Sequence, residues 1–206
     1  SGKIYINGKD IAAQDRVELR RHIGYVIQQI GLFPNMTVAQ NICVVPNLLK
    51  YSKEACDKIV HELLELVNLP YEQYAHKYPS EMSGGQQQRI GILRALAASP
   101  PIVLMDEPFS ALDYQTRLSV CDDIASIIRK TKKTAILITH DLAEAISTAD
   151  RVLVLSARPG QVKANIPLAF APQYDSPLKR RNAPEFAGYF KQVWNELREP
   201  DHKAFQ

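Results

Sequence analysis

Hydrophobic residues recur with two different periods along this chain, and the period changes twice. Alternation with period two is typical of strands, and recurrence every three or four residues is typical of helices. Before about residue 28, the pattern predicts a β-hairpin turning at Asn7-Gly8, then a short helix and a strand. Residues 35–88 follow mainly the helical period, with Ser52 as the predicted N-cap of an amphipathic helix over residues 52–67.

Strands and helices alternate from residue 89 onwards. In order, the pattern predicts a helix from residue 89, a strand over Ile102 to Met105, a helix over 114–130, a strand over 134–139, a helix over 141–148 and a strand over 151–155. Such alternation predicts a mostly parallel sheet covered by helices, and four successive apolar residues predict a central strand buried on both faces. After a break at Arg158-Pro159-Gly160, we expect an extended segment, a loop rich in proline and a helix from about Pro184 to Leu197.

Composition is that of an ordinary globular domain, with 46% hydrophobic and 23% charged residues. No apolar run in the sequence has the length of a membrane-spanning helix. A net charge of +3 is too small to indicate a nucleic-acid partner. The odd number and wide spacing of Cys43, Cys56 and Cys121 give no disulfide framework or metal site, so we expect three buried thiols.

A polar turn, Met82 to Arg89, opens directly into the helix that follows it. Ser83, Gly84 and Gly85 carry no bulky side chain, so their backbone N–H groups can approach a ligand closely. Backbone N–H groups at a helix start, beside a serine hydroxyl, are typical of a phosphate-binding site. The alternative is an ordinary serine N-cap followed by glycines that form the turn.

Two adjacent carboxylates, Asp106 and Glu107, stand where the apolar strand Ile102 to Met105 ends. The carboxyl ends of parallel strands face the ligand crevice of an open α/β sheet. One carboxylate can hold Mg²⁺, usually through water, and its neighbour can orient or deprotonate an attacking water. The alternative is a solvated acidic pair at the junction between a strand and a loop.

Together, Met82 to Arg89 and Ile102 to Pro108 resemble the signature motif and the Walker B segment of the ATP-binding cassette (ABC) ATPases. Three more segments follow the order of that family. Gln28 stands at the position of the Q-loop glutamine, Ser110 to Asp113 resembles the D-loop, and His140 ends a segment that resembles the switch-histidine strand. The resemblance implies a P-loop NTPase-like α/β fold, with a mostly parallel sheet and a helical subdomain.

The resemblance also implies a role for each of these residues. ABC ATPases work as head-to-tail pairs that hold two ATP molecules between the subunits, and a two-fold axis makes both sites equivalent. By this resemblance, Glu107 is the general base, His140 contacts the γ-phosphate and Gln28 senses Mg²⁺ and the attacking water. Asp106 holds Mg²⁺, and Ser83, Gly84, Gly85 and Gln86 contact the ATP bound by the other subunit. Asp113, a further cofactor-binding residue, couples the two sites.

The Walker A loop of these enzymes, G-x-x-x-x-G-K-[ST], does not occur in the 206 residues. We therefore expect the N-terminal strands and the P-loop to lie upstream of Ser1, and the 206-residue chain alone to be inactive as an ATPase. The expected domains are a partial ATPase core ending in the Q-loop (1–34), a helical subdomain with the signature motif (35–88), an ATPase core with Walker B, D-loop and switch histidine (89–160) and a C-terminal extension (161–206).

The resemblance points to an importer. The stretch between Gln28 and Ser83 is compact and has no sustained heptads, unlike the long coiled-coil insertions of the ABC ATPases in DNA repair and chromosome structure. The Q-loop and signature regions resemble quaternary-amine (glycine betaine, choline) importer ATPases, whereas Val152 to Gly160 resembles the nitrate, sulfonate and taurine importer ATPases. The alternatives are a soluble ABC ATPase without a transport role, or a catalytically dead fragment.

An importer ATPase implies ATP and Mg²⁺ as cofactors and several partners. These are a second ATPase subunit in a homodimer, a transmembrane permease at the cytoplasmic face of the membrane and, indirectly, an extracytoplasmic solute-binding protein. We expect the permease to dock on apolar residues after the Q-loop, at Leu32, Phe33, Pro34, Met36 and Leu48 to Tyr51. The alternative is that Leu32 and Phe33 cap the core of the helical subdomain.

Overall fold

The computed structural model describes residues 2–28, 30–158 and 160–198. Gln29 of the Q-loop segment and Pro159 of the predicted break lie outside the described residues. The chain divides into two compact units, one up to Ile138 and one from Thr139 onwards. Across the described residues, no helix combines the length and the apolar character needed to cross a bilayer.

The first unit contains five strands, seven helices and two short 3-10 turns among its described residues. In chain order, these are β1 (Tyr5–Ile6), β2 (Lys9–Asp10), a 3-10 turn (Ile11–Ala13), α1 (Arg16–Arg21), β3 (Ile23–Val26), α2 (Val38–Ile42), α3 (Val44–Leu48), α4 (Lys53–Leu66), α5 (Tyr71–Tyr74), a 3-10 turn (Pro79–Glu81), α6 (Gly84–Leu96), β4 (Ile102–Asp106), α7 (Tyr114–Lys130) and β5 (Thr134–Ile138). The predicted hairpin turn is confirmed, since Asn7 and Gly8 both adopt positive φ angles of 51° and 75°.

Strands β3, β4 and β5 form a parallel sheet in that order, as predicted. Its buried face carries Val103 and Met105, which pack with the core residues of α6 and α7. The opposite face is open among the described residues, because Tyr25 and Ile136 are both 52% exposed. The prediction that β4 is buried on both faces is therefore wrong, since its apolar residues alternate between a buried and a half-buried face.

Helices α2 to α5 form the helical region between the Q-loop and the signature motif. The predicted helix after Ser52 is confirmed as α4, and the Ser52 hydroxyl accepts a hydrogen bond from the Ala55 N–H at 3.2 Å. All three cysteines are buried thiols outside any disulfide, as expected. Burial, reinforced by the neighbouring Cys56, raises the pKa of the Cys43 thiol to about 12, so this thiol stays protonated.

The second unit is a small α/β assembly with its own core. Its described elements are α8 (Leu142–Thr148), β6 (Arg151–Leu155), β7 (Val162–Pro167), α9 (Pro177–Arg180) and α10 (Phe186–Arg198). Strands β6 and β7 pair antiparallel, and their core is formed by Ile146, Val152, Val154, Ile166 and Val193. The helix predicted from about residue 184 is confirmed as α10.

Candidate functional site

The candidate site begins at the carboxyl ends of β3 and β4. These strands are parallel neighbours, so the residues that follow them meet at one edge of the sheet. Gln28 lies two residues beyond β3 and Glu107 lies one residue beyond β4. The Gln28 side-chain Nε2 donates a hydrogen bond to Glu107 Oε2 at 3.1 Å. The structure thus brings together two of the residues that the sequence singled out.

The backbone of Glu107 is held in an uncommon conformation. Its φ angle is 44°, in the left-handed region that a residue with a long side chain rarely adopts. Its N–H donates to the Ile138 carbonyl at 2.8 Å, and its own carbonyl accepts from the Ser110 hydroxyl at 3.0 Å. These contacts fix the turn after β4, and such strained positions are concentrated at functional sites.

Asp106 is the last residue of β4 and is half-buried. Within the described part of the chain, no group of three or more His, Cys, Asp or Glu side chains could hold a metal ion. Mg²⁺ does not require such a group, because it takes one or two carboxylates from a protein and fills its other positions with water and substrate phosphates.

Arg94 of α6 anchors the segment that follows Gln28. Its Nη1 donates to the Gly31 carbonyl at 2.7 Å, and its guanidinium lies 5.8 Å from the centre of the Phe33 ring. Burial lowers the pKa of Arg94. Arg94 was not among the predicted site residues, because the sequence does not reveal which loop it contacts.

Asn41 of α2 is the second anchor of this loop, and it was not among the predicted site residues. It is fully buried, and its Oδ1 accepts from the Phe33 N–H at 2.8 Å. Its Nδ2 donates to three backbone carbonyls, those of Phe33, Met36 and Thr37, at 3.0 to 3.1 Å. One amide side chain therefore contacts four backbone groups of a loop, of which the Phe33 and Thr37 carbonyls also accept from backbone N–H groups.

The signature turn is an N-cap, as the alternative interpretation allowed. The Ser83 hydroxyl accepts from the Gln86 N–H at 3.3 Å, and Gln86 Oε1 accepts from the Ser83 N–H at 3.0 Å. The amide of Gln87 holds the same turn by donating to the Met82 carbonyl at 3.1 Å. Ser83 and Gly84 remain exposed, so this helix start is accessible to a ligand.

Asp113 caps the next helix, α7. Its Oδ1 accepts from the Thr116 N–H at 3.1 Å. Hydrogen bonds from the side chain and then the backbone of Thr116 lower the pKa of Asp113, which keeps this exposed carboxylate ionised. Phe109 and Leu112 are buried just before it and fix the loop to the core of the first unit.

His140 lies in the second unit and is exposed. It directly precedes Asp141, whose Oδ1 accepts from the Glu144 N–H at 3.0 Å and caps α8. The other predicted site residues, Gln28, Asp106, Glu107, Asp113 and the signature turn, all belong to the first unit.

Comparison with known proteins identifies the family. Residues 1–110 match the sequence model of the ABC transporter family. The chain is 38% identical, over all 206 residues, to the aliphatic sulfonates import ATP-binding protein SsuB of Bacillus licheniformis, and it covers 74% of that relative. The chain therefore belongs to the ABC transporter ATPase family.

Higher identity is found with osmoprotectant transport proteins. Over 157 residues, 76% of the chain, it is 57% identical to the glycine betaine/carnitine/choline transport ATP-binding protein OpuCA of Bacillus subtilis. Over 154 residues, 75% of the chain, it is 53% identical to the osmoprotectant import ATP-binding protein OsmV of Salmonella typhimurium. These alignments span 41% and 40% of the lengths of the two relatives.

Solved structures confirm the fold. The chain is similar to a dimeric ATP-binding cassette in a post-hydrolysis state bound to ADP and Pi, with a TM-score of 0.67 and 33% identity. The match covers 82% of this chain and 74% of that structure. The α/β fold of an ABC cassette, expected from the motif order, is thus confirmed.

Proposed function

We propose that this chain carries the catalytic half-sites of an ATP-hydrolysing subunit of a bacterial ABC importer. The observation that carries the proposal is the hydrogen bond between Gln28 and Glu107 at the ends of β3 and β4. It joins the side chain expected to sense the attacking water to the side chain expected to take its proton. Family membership and the dimeric cassettes among the similar structures support this assignment.

In the proposed reaction, Glu107 accepts the proton of a water that attacks the γ-phosphate of ATP. Gln28 fixes the orientation of the Glu107 carboxylate, and His140 contacts the γ-phosphate. Phosphoryl transfer depends mainly on positioning and on stabilising charge, which is what the orientation of the Glu107 carboxylate by Gln28 would provide.

ATP and Mg²⁺ are the proposed cofactors. Asp106 would hold Mg²⁺. When bound, this ion would neutralise negative charge on the β- and γ-phosphates. Gln28, at the same edge of the sheet, would contact the ion through its amide oxygen, because its Nε2 donates to Glu107. Phosphate oxygens and water would complete the coordination, in keeping with the small number of carboxylates at this edge.

The signature turn would act on ATP bound mainly by a second copy. Ser83, Gly84, Gly85 and Gln86 would present the exposed start of α6 to the phosphates, where the helix dipole favours negative charge. Asp113 would couple the two sites from the start of α7. The similarity to dimeric cassettes supports a head-to-tail homodimer.

The proposed substrate class is a small quaternary amine used as an osmoprotectant. Support comes from the 57% and 53% identity to OpuCA and OsmV, whose names give betaine, carnitine, choline and osmoprotectants as their substrates. Aliphatic sulfonates are the second candidate, because the similarity to SsuB runs through all 206 residues. An extracytoplasmic solute-binding protein would select the substrate.

A permease is the proposed membrane partner, and a groove in the first unit suits one of its cytoplasmic segments. The groove has a volume of about 310 Å³, and its lining includes Gly24, Tyr25, Phe33, Val45, Arg94 and Pro100. Phe33 is 43% exposed, whereas Leu32 packs on the core. We therefore keep Phe33 in the docking surface and assign Leu32 to the core. The subunit would then work at the cytoplasmic face of the membrane.

The proposed domains are a partial core (1–34), a helical subdomain (35–88), a second core segment (89–160) and a C-terminal extension (161–206).

Phosphate release from Mg-ATP by the full-length protein tests the proposed function. Turnover that depends on Glu107 would support it, and the absence of turnover in the wild type would refute it.

A further inference from the structure

The signature turn and the start of α7 are in direct contact within one chain. Gly85 is buried, and a Cβ atom added to it would overlap the Cγ2 methyl of Thr116. The same Cβ would lie 3.8 Å from Val120 Cγ2, an ordinary contact. The methyl group of Thr116 therefore sets how closely the first turn of α6 approaches α7.

The neighbouring residue Gly84 behaves differently. A Cβ atom added there would meet nothing within 4 Å. Of the two glycines in the signature turn, only Gly85 therefore has no space for a side chain within this chain.

Polar contacts continue this interface further along both helices. Arg89 of α6 forms an ion pair with Asp123 of α7 at 2.8 Å, and its Nη2 donates to the Ser119 hydroxyl at 3.1 Å. Both members of the ion pair are largely buried, at 18% and 23% exposure. The contact at Gly85 is therefore the end of a continuous helix-helix interface.

Thr116 also makes the bond that defines the start of α7. Its N–H donates to Asp113 Oδ1, and its side chain is a further hydrogen-bond partner of that carboxylate. One residue thus touches the signature turn through its methyl group and the D-loop aspartate through its hydroxyl and N–H groups.

We propose that Thr116 is a positioning residue that fixes the signature turn and the D-loop at a set spacing, so that both reach the second subunit's nucleotide as one rigid element. This inference rests on the proposed function. It assigns a role to a residue outside the motifs, and it explains why the second glycine of the turn cannot carry a side chain.

The test exchanges the volume of the two side chains in the full-length protein. Gly85→Ala adds the methyl group that overlaps Thr116, and Thr116→Ser removes the methyl group while keeping the hydroxyl. The six proteins compared are the wild type, the single variants Gly85→Ala, Gly84→Ala and Thr116→Ser, the double variant Gly85→Ala/Thr116→Ser and the control double variant Gly84→Ala/Thr116→Ser. The kcat and KM for Mg-ATP and the thermal unfolding midpoint are measured for each.

We expect Gly85→Ala to lower kcat by about 10²-fold with little change in KM, since a displacement of about 1 Å at a reacting centre has that effect. The double variant Gly85→Ala/Thr116→Ser should have a kcat at least about tenfold higher than that of Gly85→Ala, because changes at two residues in contact can compensate each other. Thr116→Ser should give no recovery in the Gly84→Ala background.

Two outcomes would overturn the positioning role. One is a double variant with a kcat no higher than that of Gly85→Ala. The other is recovery of the unfolding midpoint without recovery of kcat, which would assign the contact to folding alone. A wild-type protein without Mg-ATP turnover would instead refute the proposed function, while recovery of the midpoint would still report the Gly85–Thr116 contact.

Discussion

The Gln28 amide donates a hydrogen bond to the Glu107 carboxylate at 3.1 Å, although 79 positions separate the two residues in sequence. The parallel pairing of β3 with β4 makes this contact possible, because Val26 lies opposite Met105 and both chains leave the sheet at the same edge. The left-handed backbone at Glu107 then directs the chain into the turn before the D-loop. The candidate site is thus a property of the sheet topology as well as of the motifs.

The first prediction concerns Gln28 in the full-length protein. Gln28→Ala removes the hydrogen bond that orients Glu107. It should lower kcat for Mg-ATP by about tenfold, because the free energy of one such hydrogen bond corresponds to about that change in rate. Gln28→Glu should lower it further at neutral pH, because two carboxylates this close repel each other and one of them takes up a proton. Steady-state phosphate release measures both, and wild-type rates for the two variants would remove Gln28 from the site.

The second prediction concerns the anchor of the loop after Gln28. Asn41→Ala removes the side-chain partner of four backbone groups of the loop, of which the Phe33 and Thr37 carbonyls keep a backbone N–H donor. It should lower the free energy of unfolding by about 2 to 4 kcal/mol. Asn195→Ala on the exposed side of α10 is the matched control and should change it by less than about 0.5 kcal/mol. Denaturant titration gives both values. Equal changes in the free energy of unfolding for the two variants would show that the hydrogen bonds of Asn41 make no net contribution to stability.

Much of this site was predictable from sequence, because its motifs coincide with strong local signals. The helix over Tyr114–Lys130 has both its predicted ends, and Asp113 is a standard N-cap residue. The strand Ile102–Asp106 was predicted from four successive apolar residues, although only one of its faces is buried. The local sequence pattern was sufficient to predict those helices and strands that depend mainly on residues close to one another in the chain.

The parts that the sequence did not reveal depend on distant partners. Arg94 binds the Gly31 carbonyl, 63 residues away, and nothing in the helical period of α6 indicates that contact. The steric fit of Gly85 against Thr116 likewise depends on how α6 and α7 pack. Such contacts are set by tertiary geometry, which periodicity does not encode.

The third prediction concerns the proposed docking surface. Phe33→Asp places a charge in the groove and should abolish transport by the assembled transporter, while the isolated ATPase subunit keeps its activity. Leu197→Asp, at a similarly exposed apolar position on α10, is the control and should leave both activities intact. Transport in vesicles and phosphate release are measured side by side. Loss of both activities in Phe33→Asp would assign Phe33 to folding.

The central claim is that Glu107 is the general base of an ABC ATPase. The direct test is phosphate release from Mg-ATP by the full-length wild type, by Glu107→Gln and by the control Glu65→Gln, which alters an exposed carboxylate of α4. We predict turnover for the wild type and the control, and a loss of about 10² to 10⁴-fold for Glu107→Gln, because an amide cannot accept the proton. Glu107→Gln should still bind ATP and elute as an ATP-bound dimer in gel filtration. Hydrolysis by Glu107→Gln near the wild-type rate, or no hydrolysis by the wild type, would contradict the claim.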